Sequence, residues 1–317
     1  MIRTAECITP KHPDKICDRI SDAVLDACLK QDPNSRVAVE TMGGHGKIFV
    51  TGEVTTNATI DVEDIAQRVY GKQIDVAVNL VKQSNYIAQG VDTGGAGDQG
   101  IMVGYACNEN EELIPQELFL ARQLCKLIYE TYPFDGKTQI TLNNGEIDTV
   151  VASFQNAPSE KLREIIDTWL GTNNEDVTIH CNPAGDWSLG GFDADAGVTG
   201  RKLVVDNYGP RIPIGGGAFS GKDPTKVDRS AAYMARRVAV DLLKTTRSNE
   251  VYVYLSYAIG YNQPVQATAI IDGEEFALTE QKNLSPQGII THLQLTNPVY
   301  ETSADWGHFG NGFVWDK

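Results

Sequence analysis

The sequence predicts an α+β protein built of three similar sheet-plus-helix units, on three observations. One order of elements, helix then hairpin then helix, is read three times along the chain. Its 317 residues exceed what one hydrophobic core serves. Two glycine-rich connections, 89–100 and 182–200, separate the copies. The bounds that follow are 1–92, 93–187 and 188–317, with elements exchanged between the units.

The first copy opens with a helix from about Asp14 to Lys30, where Ile16, Ile20, Val24 and Ala27 form one stripe. A hairpin follows, SRVAVETM and KIFVTGEVTT around GGHG, and then a helix opened by Asp61 and carrying Val62, Ile65 and Val69. The second copy has a helix after Pro115, the hairpin KTQITLN and EIDTVVASF around Asn144-Gly145, and the helix PSEKLREIIDTWL. In the third, a helix after Pro224 precedes strands VYVYLSYAIG and PVQATAIID and a later helix in SPQGIITHLQL. Glycine-rich loops of such length in a compact chain point to function.

Composition excludes several classes of function. A net charge of −15 argues against nucleic acid and anionic membranes as partners. With no run of about 18 apolar residues and an N-terminus, MIRTAECITPKHPDK, unlike a secretion signal, a cytoplasmic location is expected. Six cysteines at no CxxC spacing read as reduced thiols, and the histidines match no zinc pattern. The charge is uneven, however. Residues 201–237 hold eight basic residues against three acids, an island suited to a small polyanion.

Within that island, GGGAFSGKDPTKVDRS (215–230) reads as a glycine loop entering a helix capped by Asp223 with Pro224 in its first turn. Free N–H groups and the dipole at such a terminus attract anions. The apolar stripe Val227, Ala231, Met234, Val238, Leu242 leaves Lys226, Arg229 and Ser230 off the core face, and crowded cations there call for an anion. Gly216–Lys222 satisfies GxxxxGK, but Asp223 stands where a P-loop needs Ser or Thr, so that reading fails.

KHPDKICDRISDAVLD places Asp14, Asp18, Asp22 and Asp26 on one helical stripe. A solvated face is expected for Asp26, whereas Asp14, beside His12 in a proline-fixed first turn, suits a hard cation such as magnesium. Glu40 and Glu53 fall inside the first hairpin, where strands disfavour acids. A four-residue GGHG loop sets Glu53 opposite Arg36 and Glu40 opposite Phe49, so Glu40 lacks a partner that a bound cation could supply.

KHPDKICDRISDAVLDACLKQDP, VAVETM, TGEVTT, GAGDQGIMVGYACNE, VTGRKLVVDNYG, GGGAFSGKDPTKVDRSAAYMARRVA, YAIG and GHFG resemble, in order and over nearly the whole chain, the S-adenosylmethionine synthetase (methionine adenosyltransferase) family. The resemblance implies three α+β domains with pseudo-threefold symmetry and a homodimer with active sites between subunits. A tetramer is less expected. It also implies the reaction, in which methionine sulfur attacks C5′ of ATP and tripolyphosphate leaves whole, then is hydrolysed to pyrophosphate and phosphate. By the matched motifs, His12 assists the substitution. Asp14 and Asp228 correspond to Mg2+ ligands and Glu40 to a K+ ligand. His12, Asp135, Lys137, Trp187, Asp195, Arg201, Lys202, Ala218 and Lys222 match ATP contacts; Glu53, Gln89, Asp195, Lys226 and Ile259 match the methionine side. His12, Lys137, Arg201, Lys222 and Asp98 are the implied catalytic set.

The chain departs from the family in places. Lys11 replaces a glycine and would add a cation beside the triphosphate, and Asp186 replaces an arginine beside the adenine-stacking residue. QGVDTGGAGDQG is shorter than the family's gating loop, and the chain stops at GFVWDK without the usual C-terminal helix. Two further readings are a catalytically silent nucleotide-binding subunit and the same chemistry on another thioether. The first is opposed by the presence of His12, Asp14, Lys137, Lys222, Lys226 and Asp228, and the second is kept open by Lys11 and Asp186.

Overall fold

The computed structural model describes residues 1–83, 94–172, 175–278 and 283–317. Three four-stranded sheets organise them. The first runs β4 (Asp75–Val81), β3 (Lys47–Thr55), β2 (Arg36–Gly44), β9 (Gly197–Val198), under α1 (Pro13–Leu29) and α2 (Val62–Tyr70). The second runs β1 (Ile2–Ile8), β6 (Gly136–Asn143), β7 (Glu146–Phe154), β8 (Thr178–Cys181), with α3 (Gln116–Thr131) and α4 (Ser159–Leu170). The third runs β12 (Glu274–Ala277), β11 (Gln266–Ile271), β10 (Glu250–Tyr257), β5 (Gly100–Cys107), under α6 (Val227–Thr246). Short helices α5 (Leu203–Asp206), α7 (Pro286–His292) and α8 (Tyr300–Ser303) fill the connections.

Each sheet thus borrows a strand from another part of the chain: β1 lies beside β6, β5 beside β10, and β9 beside β2. β1 and β5 are missing from the periodic reading because neither alternates cleanly. GIMVGYAC is buried almost throughout, and a continuous buried run carries no period of two. One core cluster extends from the first sheet beneath α1 to the third beneath α6, and a separate one lies under α3 and α4.

Two local expectations are corrected. The first hairpin closes on two residues, His45 and Gly46, both at positive φ, and not on four. The register therefore moves: Glu53 faces Ala38 and Glu40 faces Thr51. The helix expected to start at Pro224 starts at Val227 with Lys226 in the capping position. Asp223 instead accepts the Val37 N–H at 2.7 Å and the Thr225 N–H at 2.9 Å, so it ties the loop to β2 and turns the chain before the helix.

Candidate functional site

The four aspartates of α1 form a ladder, each holding backbone N–H groups of another segment. Asp14 takes Val198 at 3.0 Å, Asp18 takes Gly200 at 2.8 Å and Asp22 takes Gly221 at 2.8 Å. Asp26 takes Tyr300 and Glu301 at 3.0 and 2.9 Å, so it caps α8 and is not a solvated face. Spacing of four residues turns one helix face into a rack for two loops. Close approach is required at the first rung: a Cβ on Gly197 would lie 2.2 Å from the Pro13 carbonyl carbon.

The first cluster gathers at the N-terminus of α1. The Asp14 carboxylate, fully buried, meets Lys202 Nζ and lies 3.3 Å from Arg201 Nε. Burial pushes its pKa up, but the Lys202 ammonium and the Val198 N–H outweigh that and hold it below the usual range. His12 caps α1, its Nδ1 accepting the Asp14 N–H at 3.2 Å. Burial, then the Lys202 charge, depress the imidazole to about 4, so it is neutral with its proton on Nε2. Exposed Lys137 on β6 and Asp195 stand close enough to act on it electrostatically. Asp135 neighbours Lys137, but one of its oxygens accepts the Gly191 N–H at 2.9 Å. Trp187, half-buried, donates its indole N–H to Asn182 at 3.3 Å.

A second cluster forms on the 215–230 stretch. Lys222 Nζ meets Asp228, Lys226 Nζ meets Asp223, and the backbone of Lys222 bridges Ala38 on the edge of β2 beyond its short pairing with β9. Gly221 makes this bend, at φ +82°, with Val39 oxygen 1.8 Å from where a Cβ would sit. Ala218 packs against Gly200, linking the two phosphate-suited loops. The rungs that anchor the two loops, Asp14 for Val198 and Asp22 for Gly221, are eight residues apart on α1, about 12 Å along its axis.

Other expected residues lie around these clusters. Glu53 and Glu40 sit on the sheet face away from buried Val37 and Val39, with Glu53 two strand spacings from Lys222, about 10 Å. Asp98 is exposed on a loop pinned to Ile259's turn by Ala96 N–H to Tyr261 and Gly260 N–H to Ala96, both 2.8 Å. Gln89, with the rest of 89–93 in the 89–100 connection, lies outside the described residues.

Family models for the N-terminal, central and C-terminal domains of S-adenosylmethionine synthetase match residues 1–85, 93–187 and 189–317. The chain belongs to the S-adenosylmethionine synthetase family. S-adenosylmethionine synthase of Petrotoga mobilis is 40% identical over 385 aligned positions, covering all of this chain and 96% of that protein. The synthase of Parvibaculum lavamentivorans is 40% identical over 99% of this chain and 95% of its own, and that of Clostridium tetani 41% over 97% and 93%. An aligned span longer than 317 residues means the relatives carry internal segments this synthetase lacks. ATP binding and metal dependence are general to the family.

Against that family pattern, this synthetase resolves its basic island into two kinds of residue. Arg201, Lys202, Lys222 and Lys226 line the clusters. Arg229, expected off the core face, is fully buried: it pairs with Asp22 at 2.6 and 2.9 Å and lies 4.2 Å from the Tyr300 ring. Arg236, likewise buried, donates to Asp316 and to the carbonyls of Tyr105, Glu112 and Leu113. The compensation expected from an anion comes, in these two, from internal carboxylates. Lys11 Nζ lies beside Gly71, and burial, then the charge of Arg19, lowers its pKa. Asp186 accepts the Ser159 N–H at 3.0 Å, serving the start of α4. The sequence reading placed Asp18 on the aspartate stripe but did not join it to Lys15 and Asp206, with which it forms a buried charge group beside the first cluster. Burial of a lysine has no local sequence signal.

Among the described residues no helix is long and apolar enough to cross a membrane, and all six cysteines are free, five of them buried.

Proposed function

We propose that this synthetase makes S-adenosylmethionine from ATP and L-methionine, the thioether sulfur attacking C5′ and tripolyphosphate leaving whole. Sulfur gains its third carbon bond as the C5′–O bond breaks, and the electron pair departs on the leaving oxygen. The observation that carries this is the arrangement of four cations, Arg201, Lys202, Lys222 and Lys226, in two clusters, each cation with a carboxylate partner. Such an array is preorganised for a polyanion whose charge grows as the bond breaks. Aligning the weak thioether nucleophile with C5′ contributes about 7 kcal/mol or more.

Lys137, Arg201, Lys202 and Lys222 bind the triphosphate in this reading, and neutral His12 donates from Nε2 toward the leaving oxygen. Asp135, Trp187, Asp195 and Ala218 complete the nucleotide side, with Trp187 against adenine. Glu53, Gln89, Asp195, Lys226 and Ile259 seat methionine, and Asp98 contacts substrate. Asp14 and Asp228 fit Mg2+: each is a hard oxygen donor beside phosphate-suited cations, and phosphates would supply further ligands. Glu40, unpaired by its cross-strand neighbour Thr51, is the K+ ligand in this reading. Bound Mg2+ would neutralise phosphate charge.

The two clusters hang from rungs about 12 Å apart on α1, Asp14 and Asp22, and in this reading the active site is completed across a homodimer, in which one subunit's first cluster faces the partner's second. Exposed Met42 and Phe49 on the open face of the first sheet suit that contact. The bounds 1–92, 93–187 and 188–317 are the corresponding units, exchanging β1, β5 and β9. The location proposed is cytoplasmic.

An assay with ATP, methionine, Mg2+ and K+, following S-adenosylmethionine, pyrophosphate and phosphate together, tests the reading. All three products are expected. Failure to form S-adenosylmethionine while ATP still binds would overturn it.

A further inference from the structure

Lys202 meets Asp14, but its backbone is fixed by a separate, wholly buried charge group one turn further along α1. Asp18 accepts the Gly200 N–H at 2.8 Å. Lys15 Nζ lies 3.2 Å from Asp18 and 2.7 and 2.8 Å from the two oxygens of Asp206. Asp206 ends α5, and its own N–H donates to the Lys202 carbonyl at 2.8 Å, while its carbonyl accepts the His308 N–H at 2.9 Å. The segment 200–202 is thereby gripped at both ends.

Lys15, Asp18 and Asp206 are closed to solvent. Two carboxylates share one ammonium in a region where burying ions is costly and where apolar residues of similar volume often serve stability as well. What apolar side chains could not do is hold the Gly200 N–H and the end of α5 at fixed register. Of the backbone, Asp14 holds only the Val198 N–H, three residues before Arg201.

We propose that Asp18, Lys15 and Asp206 are positioning residues that set 200–202 against α1, so that Arg201 and Lys202 reach the substrate's phosphates as well as Asp14. This rests on the reading of the first cluster as a triphosphate site. The group touches no reacting atom; it acts through the two cations.

The test uses the full chain, with steady-state kinetics for both substrates and calorimetry with inorganic tripolyphosphate alone. Asp18→Ala should weaken tripolyphosphate binding about tenfold or more and lower kcat/KM for ATP on the order of 10²-fold, the scale of a 1 Å misplacement. The KM for methionine should stay within about twofold, since that side is not gripped by Asp18. Asp18→Asn retains an oxygen for the Gly200 N–H and should recover most of the loss. Asp26→Ala, on the same ladder but holding α8, should lower the melting temperature and leave the KM for ATP alone.

Unchanged tripolyphosphate affinity in folded Asp18→Ala, or equal effects of Asp18→Ala and Asp26→Ala on the KM for ATP, would overturn the proposal. If Asp18→Ala does not fold, the paired exchange Lys15→Met with Asp206→Asn decides: weakened tripolyphosphate binding supports it and unchanged binding refutes it. Wild-type protein that binds tripolyphosphate in an Asp18-dependent way but makes no S-adenosylmethionine sinks the reaction and supports the positioning. S-adenosylmethionine made by Asp18→Ala with wild-type kinetics does the reverse.

Discussion

Arg229 and Asp22 form the innermost ion pair beneath the second cluster, and a double-mutant cycle on them yields the sharpest expectation. Arg229 binds both Asp22 oxygens at 2.6 and 2.9 Å, the Tyr233 hydroxyl at 3.0 Å and the Lys222 carbonyl at 3.1 Å. Both side chains are fully buried. Arg229→Met leaves the Asp22 carboxylate with the Gly221 N–H and no cation, and breaking such a pair costs about 4 kcal/mol. For 317 residues, with an unfolding entropy of about 2.1 cal/mol/K per residue, that is a fall in Tm of about 6 °C. Asp22→Leu should cost a similar amount by stranding the guanidinium. The double variant removes both charges and leaves chiefly the orphaned Gly221 N–H, about 1–3 kcal/mol. Additivity would give about 8 kcal/mol, so a coupling of several kcal/mol is expected in calorimetric or denaturant unfolding. Single and double losses that add within about 0.5 kcal/mol would refute the buried-pair argument.

His12→Asn should keep the α1 cap and the melting temperature but lose on the order of 10²-fold or more in kcat, while His12→Ala should lose about 1 kcal/mol of stability as well; equal activity in His12→Asn and wild type would remove the imidazole from the reaction. Gly221→Ala forces a Cβ onto the Val39 oxygen at positive φ, so a loss of about 3 kcal/mol or more and a raised KM for ATP are expected, and an unshifted melting curve would contradict the geometry. Asp26 is raised by burial from 3.8 to about 6 despite its two N–H partners. Its stabilising contribution is then fully present below about pH 3.8 and lost as pH rises through about 6. Wild type should gain stability over Asp26→Asn between pH 7 and pH 4, and a constant difference in melting temperature across that range would count against the burial effect.

The repeated hairpins and helices were legible because each carries its own period: alternation in KTQITLN, a stripe of three and four in ISDAVLDACL, Asn-Gly at a turn. The four-residue spacing of Asp14, Asp18, Asp22 and Asp26 was legible as one face. Local order is written locally. Tertiary structure alone decided what that face does, because the groups it holds come from residues 198–221 and 300–301. The same holds for the cations of 201–237. Sequence marks the excess of charge; only packing separates Arg229 and Arg236, desolvated against internal carboxylates, from Arg201, Lys202, Lys222 and Lys226, which keep a path to solvent. Burial is a property of what the rest of the chain brings, and an arginine carries no mark of it.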